Sequence, residues 1–197
     1  MSGYNYNRQP LRITFGDATL WASIALGPFR RFLRLGTTGS DDELQELIGF
    51  SGPWVETQCA TSLAERTMVL KVRIGDLYIT DVNGDTFIEL PNGPVTSVQS
   101  ISWDGGSTSS TTLETDTLPE RVKKPDDVAA DALELTINYT CGRTTWADFT
   151  PSEQLAVMIV TSHFWQNRES VAVGTIATPM PFMLSYALAA IDRNPIS

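Results

Sequence analysis

The single histidine, His163, is the only imidazole on which acid–base or nucleophilic chemistry can be built in this chain. It lies inside an apolar run, VMIVTSHFW, and its serine neighbours Ser162 and Ser170 belong to no Gly-x-Ser-x-Gly elbow. That context describes a core or interface histidine. The carboxylate pairs Asp41/Asp42 and Asp126/Asp127 are adjacent in sequence, which turns their side chains to different faces and suits capping or solvation better than paired acid–base work. Asp81-Val-Asn83-Gly-Asp85 has the first oxygens of a calcium loop. Thr86 stands where that loop needs glycine and Asn92 where it needs glutamate, so an Asn-Gly turn between strands explains it better. Gly36-Thr-Thr-Gly39 lacks the lysine of a phosphate loop. Cys59 and Cys141 are too few and too far apart for a disulfide framework or a zinc site, and read as buried thiols in a reducing compartment. Asn138-Tyr139-Thr140 matches a glycosylation sequon but reads as a strand end. No catalytic residue, cofactor or metal is expected.

Charge is distributed unevenly. Residues 1–39 hold five arginines against one acid, while Asp76 to Glu134 holds twelve acids and three bases in a chain of net charge −9. An acidic body repels nucleic acid, so DNA could pass it without being gripped. The segment Phe29-Arg30-Arg31-Phe32-Leu33-Arg34 is the best nucleic-acid candidate, but an amphipathic helix with Phe29, Phe32 and Leu33 inward accounts for it better. Its clustered arginines are suited to carboxylates on a neighbouring subunit.

The elements that must position these groups follow from periodicity. Residues 1–19 read as an arm whose Leu-Arg-Ile-Thr-Phe run can pair as a strand. Trp21 to Leu35 reads as helix interrupted at Gly27-Pro28. Ser40 is expected to cap a short helix with Glu43 as its partner and Leu44, Leu47 and Ile48 as its buried stripe. Gly49–Gly52 should break that helix, and Pro53 should open a second one to about Arg66, with Val55, Cys59 and Leu63 on its inner side. The period then changes to two. Met68, Leu70, Val72 and Ile74 alternate; Thr86–Leu90 is a short strand; Val95–Trp103 slips phase between Val98 and Ile101, as a bulge would. A Ser/Thr loop follows Asp104-Gly105-Gly106, and Leu133, Leu135, Ile137 and Tyr139 line the inner face of a last strand. Thr150, Pro151 and Glu153 mark the start of a helix that is apolar on nearly all sides. The expected class is α+β: a helical scaffold with an inserted antiparallel β region. Its parts are an arm and basic segment (1–39), a helical pair (40–66), a β-rich insertion (67–142), and a buried helix with a C-terminal docking segment (143–197). No apolar run is long enough to span a membrane, and the first residues carry no apolar signal core, so nothing directs secretion.

This order resembles the head–tail connector (adaptor) proteins of long-tailed phages and gene-transfer agents. The resemblance is carried by Asp41, Asp42, Leu44, Leu47 and Ile48 in the first capped helix. It continues with Leu90, Pro91, Pro94, Val95, Ser97 and Val98, then with Tyr139 and Gly142 in a Tyr-x-x-Gly turn. Trp165, Arg168, Glu169 and Pro181 follow the long helix. It covers most of the chain and is weakest before residue 39.

The resemblance implies a non-enzymatic virion protein forming a homo-oligomeric ring, a dodecamer, between portal and neck or tail. Such a ring is assembled in the host cytoplasm, extends the DNA channel without specific binding, and meets a stopper or other neck component below. The expected carriers of subunit or portal contacts are the side bearing Arg30, Arg31 and Arg34, the acidic β insertion, and the C-terminal segment from Ser170 to Ser197 with its Phe182, Met183, Leu184, Tyr186, Leu188 and Ile191. Other readings are a different neck or tail-completion protein of the same particle, or a small ligand-binding or enzymatic α+β domain.

Overall fold

The computed structural model describes residues 12–36, 38–73, 78–80, 84–117, 119–128, 132–167 and 182–192. The chain divides into two compact units. Met1–Asp17 and Arg66–Cys141 form a β unit, and Ala18–Glu65 with Gly142–Ser197 form a helical unit. The fold is α+β, as the change of period predicts.

The β unit is built from antiparallel ladders. A five-stranded sheet runs β1 (Arg12–Phe15), β2 (Arg66–Arg73), β9 (Glu134–Cys141), β5 (Val95–Trp103) and β6 (Gly106–Thr108). A four-stranded sheet runs β3 (Tyr78–Thr80), β4 (Thr86–Glu89), β8 (Arg121–Lys123) and β7 (Leu113–Glu114). Met68, Leu70 and Val72 of β2 face Tyr139, Ile137 and Leu135 of β9 in direct register, and all six are buried. Strict alternation puts these residues on one face, and their burial closes the core with Ile88, Leu90, Val95, Ile101 and Val122. The expected arm strand is present as β1. The register of β5 against β9 shifts between Val98 and Ser100, where the alternation slips, and again between Val95 and Ser97.

Two expectations need correction here. The Ser/Thr tract begins as a strand, because β6 pairs with β5 through the Asp104-Gly105 turn, and the Trp103 indole lies over the bare Gly106 backbone. Leu133 does not join the inner face: it is 78% exposed, and β9 begins only at Glu134. Ala132 is the buried residue there.

The helical unit contains α1 (Leu20–Ser23), α2 (Gly27–Leu33), α3 (Asp41–Gln58), α4 (Pro151–Gln166) and α5 (Phe182–Ala189). Gly27-Pro28 opens α2, since proline is well suited to a helix's first turn; the break expected there falls at Ile24, whose backbone is extended. The expected pair of helices after residue 40 is one helix. Pro53 sits inside α3, and Gly52 is there for packing: a Cβ on it would stand 2.5 Å from the Trp21 indole. The close approach of Trp21, together with Leu44, Ile48 and Val55 in the core, outweighs the helix-breaking tendency of the Gly and Pro residues. Ser40 precedes α3 but makes no side-chain capping bond.

The start of α4 is as expected. Thr150 Oγ1 accepts from the Glu153 N–H at 3.3 Å, and Glu153 Oε2 accepts from the Thr150 N–H at 2.6 Å. Ala156, Val157, Ile159, Val160, Thr161 and His163 are buried, leaving Pro151, Leu155 and Gln166 exposed along one line. Leu155 is 37% exposed, and Met158 and Trp165 are only partly buried. α4 packs on α3, α5 and α2, so its nearly all-round apolarity is met largely within its own unit.

Candidate interaction surfaces

His163 is placed by the core, where no chemistry is arranged around it. It is 8% exposed on α4, its ring edges Phe164, and its carbonyl accepts from the Asn167 side chain at 2.8 Å. Among the described residues no three His, Cys, Asp or Glu side chains gather closely enough to hold a metal, and no helix is long and apolar enough to cross a membrane. Asp81 and Asn83 lie outside the described residues. Both cysteines are buried and neither is in a disulfide. Burial and then the Asp192 carboxylate push the Cys59 thiol up to about 11, and its Sγ donates to the Leu188 carbonyl at 3.7 Å.

The arginine segment divides by function. Phe29 is buried against Trp146, with ring centroids 4.9 Å apart, and Leu33 packs beneath it on the same core. Arg30 is already engaged: its Nε donates to Asp41 Oδ1 at 2.8 Å and its Nη2 to Asp41 Oδ2. This fork-to-fork pair anchors α2 to the acidic first turn of α3, where Asp41 also favours the helix's positive end. Asp42 is exposed beside it and Leu44 is fully buried. Arg31, Phe32 and Arg34 are all exposed at the end of α2. The inward placement expected for Phe32 is not found: it is 42% exposed in the last turn of α2, although it lies only three residues from the buried Phe29. Arg34 caps α2 in the left-handed region, φ 57°, ψ 37°, and its N–H bonds the Arg30 and Arg31 carbonyls.

The C-terminal candidates divide in the same way. Leu184 is 2% exposed and Ala187 is buried, and Leu188 and Ile191 pack against the helical unit's own core. Leu184 is therefore a core residue of this chain, which corrects its assignment to a free docking segment, while Leu188 and Ile191 are partly buried against the same core. Apolar content alone did not reveal that α5 lies along α4. Met183 and Tyr186 are about two-thirds exposed, at 65% and 66%. The Phe182 side chain and Arg168, Glu169 and Pro181 lie outside what the structure describes.

The connector-like motif residues are architectural. In the β unit the buried Tyr139 hydroxyl donates to the Pro91 carbonyl at 2.9 Å, tying the Tyr-x-x-Gly strand to the Leu-Pro-x-x-Pro turn, in which the Gly93–Pro94 bond is cis. Burial, and then Cys141, push that phenol above its ordinary range. In the helical unit Gly142 has φ 89°, and a Cβ on it would collide with the Ala64 carbonyl. Trp165 packs partly buried on the helical core.

One surface feature has no counterpart in the sequence reading. The end of the β5–β9 ladder forms a cleft of about 270 Å³ lined by Ser102, Trp103, Asp104, Leu133, Glu134 and Thr136. Its only sequence signal is an alternation that runs one step past its strand, to Leu133.

Comparison with solved structures gives the same arrangement. One chain from the neck of an empty gene transfer agent particle, computed with C6 symmetry, superposes with a TM-score of 0.68 at 19% identity over 94% of this chain and 97% of the other. The fold is that of a gene transfer agent neck chain. A chain from the neck of the native particle, computed with C12 symmetry, gives 0.65 at 16% identity, and one from the native virion gives 0.64 at 17%, with the same coverage of both chains. No family model matches, and no curated protein sequence matches. At 16–19% identity the likeness to these neck chains is one of fold.

Proposed function

We propose that this chain is a structural virion protein that forms a ring between the portal and the rest of the neck or tail, joining head to tail and continuing the DNA channel. The observation that carries the reading is the end-to-end correspondence with a neck chain, 94% of this chain against 97% of that one. A fold shared over a whole chain, without an inserted domain, supports a shared place in an assembly better than a shared chemistry. The C12 symmetry used for the native neck supports a dodecamer. Closed rings need a heterologous interface that repeats around an axis, and exposed Arg31 and Arg34 on an otherwise acidic chain suit one. Met183 and Tyr186 are the exposed apolar residues we assign to the portal contact. No catalytic role enters this reading, and net charge −9 suits a wall past which DNA moves without adhering.

Co-expression with the portal protein of the same particle, followed by electron microscopy, tests it. The expected result is a twelve-fold ring seated on the portal. Rings that form but ignore the portal would move the chain to another level of the neck. A folded monomer that neither self-associates nor binds portal would overturn the reading.

A further inference from the structure

We infer that the cleft at the end of the β5–β9 ladder receives the exposed tip of α2 from a second copy of the chain, with Arg31, Phe32 and Arg34 as its occupant. The inference rests on the ring reading above and names the two surfaces that make the ring's repeated contact.

The cleft has the chemistry of a guanidinium and aromatic receptor. Trp103 and the exposed Leu133 supply apolar surface, and Asp104 and Glu134 supply carboxylates, within about 270 Å³. Asp104 and Glu134 flank the last paired positions of the ladder, Trp103 and Leu135, and both line the cleft. Glu134 is already offset by Lys71 at 3.4 Å and stands opposite Arg73 of β2. Asp104 is exposed and forms no ion pair among the described residues, which leaves it as the unmatched charge. The Trp103 ring is held over Gly106, where a Cβ would stand 2.8 Å from it, so the aromatic wall is fixed before anything binds.

The tip of α2 is complementary on both counts. Arg31 and Arg34 are exposed and, unlike Arg30, have no acidic partner among the described residues. Phe32 between them is 42% exposed, an aromatic ring in water beside two cations. Arg34 also occupies the left-handed cap position, where glycine or asparagine is the unstrained choice. Guanidinium to Asp104, the arginine stem along Leu133, and a ring or guanidinium against Trp103 match group for group. Because the two surfaces are different patches of one chain, the contact is head-to-tail and can close a ring.

The test uses the full chain with cysteines at Arg34 and Asp104; the native thiols are buried. With a short bis-maleimide linker, which spans the distance an arginine–aspartate pair leaves between two cysteines, an equimolar mixture of Arg34→Cys and Asp104→Cys should give covalent dimers only, and the double variant a ladder of higher oligomers. In parallel, Arg31→Glu/Arg34→Glu and Asp104→Arg should each weaken assembly roughly tenfold, and combining them should restore it, because a charge-assisted contact is exchanged for its mirror. Rings that assemble normally from each charge variant, with no specific cross-link, would overturn this contact while leaving the ring reading intact. A chain that stays monomeric both alone and with portal would overturn both.

Discussion

Arg143 grips Glu153 with both arms of its guanidinium, Nε to Oε2 at 2.9 Å and Nη2 to Oε1 at 3.2 Å. Glu153 is at the same time the capping-box acid of α4. One carboxylate therefore starts the central helix and binds the segment that follows Gly142. The backbone of that segment completes the joint: the Arg143 N–H donates to the Leu63 carbonyl at 2.8 Å, and its carbonyl accepts from Glu65 at 2.9 Å. On the opposite side Glu56 Oε1 accepts the N–H groups of Leu63 and Ala64, at 2.8 and 3.0 Å. The 59–65 connection is thus fixed from two directions inside the helical unit.

Replacing Arg143 by Ala is expected to lower stability by about 2–3 kcal/mol, since it leaves a nearly buried carboxylate without its cation. The figure is reduced from that of a fully buried pair because the arginine side chain is 26% exposed. Glu153→Ala should cost at least as much, because it removes the cap as well. Urea unfolding of both single variants and the double variant checks this; the double should cost clearly less than the sum of the singles.

Gly49 and Gly52 should respond in opposite ways to alanine. A Cβ at Gly49 meets nothing within 4 Å, so Gly49→Ala should stabilise α3 by roughly 0.5–1 kcal/mol. Gly52→Ala drives a methyl into the Trp21 ring and should cost about 1–3 kcal/mol, with a change in tryptophan fluorescence. Equal effects at the two positions would contradict the packing described for Trp21.

This pair of glycines also marks where sequence legibility ended. Local signals hold at the Thr150–Glu153 box, in the alternation of β2 and β9 and in the slipped phase of β5, though not at Ser40, which precedes α3 without a side-chain cap. Gly52 and Pro53 have a local meaning, helix breaking, that a distant partner, Trp21, overrides. The C-terminal helix failed for the same reason. Leu184, Leu188 and Ile191 form an apolar set whether they face their own core or a partner, and only the packing of α5 on α4 decides between the two. Leu133 is the reverse case, a residue in phase with a strand that has not yet begun. The receptor cleft was invisible because it joins a strand end to a residue beyond the strand's pattern, at positions brought together only by the β5–β9 register.

Cys59 carries a pH prediction. Its thiol titrates near 11 in the folded state against 9.0 for an ordinary cysteine. The unfolded chain therefore loses its proton first, the folded state holds more protons between those values, and stability falls as pH rises from about 9 to about 11. The full loss is of the order of 2–3 kcal/mol. Cys59→Ala should flatten that part of the pH–stability curve. At pH 8, alkylation of Cys59 should be slow in buffer and rapid in denaturant, as followed by mass spectrometry.

The last prediction separates the two faces of α5. Leu184 is 2% exposed in the helical core, so Leu184→Ala should cost about 2–4 kcal/mol, and deleting residues 179–197 should destabilise or unfold the helical unit as a whole. Met183, one position earlier, is 65% exposed. Met183→Ser should change stability by less than about 0.5 kcal/mol, because its side chain is largely hydrated before and after the change. If the exposed face of α5 meets the portal, the same substitution should weaken portal binding, since an apolar side chain covered by a partner is worth roughly 1.5–3 kcal/mol before ordering costs. Thermal unfolding and portal pull-down on the same two variants read these effects independently. Loss of binding without loss of stability in Met183→Ser assigns the outer face of α5 to the portal contact. Unchanged binding in a fully stable Met183→Ser variant removes Met183 from that contact and leaves Tyr186 or another surface to make it.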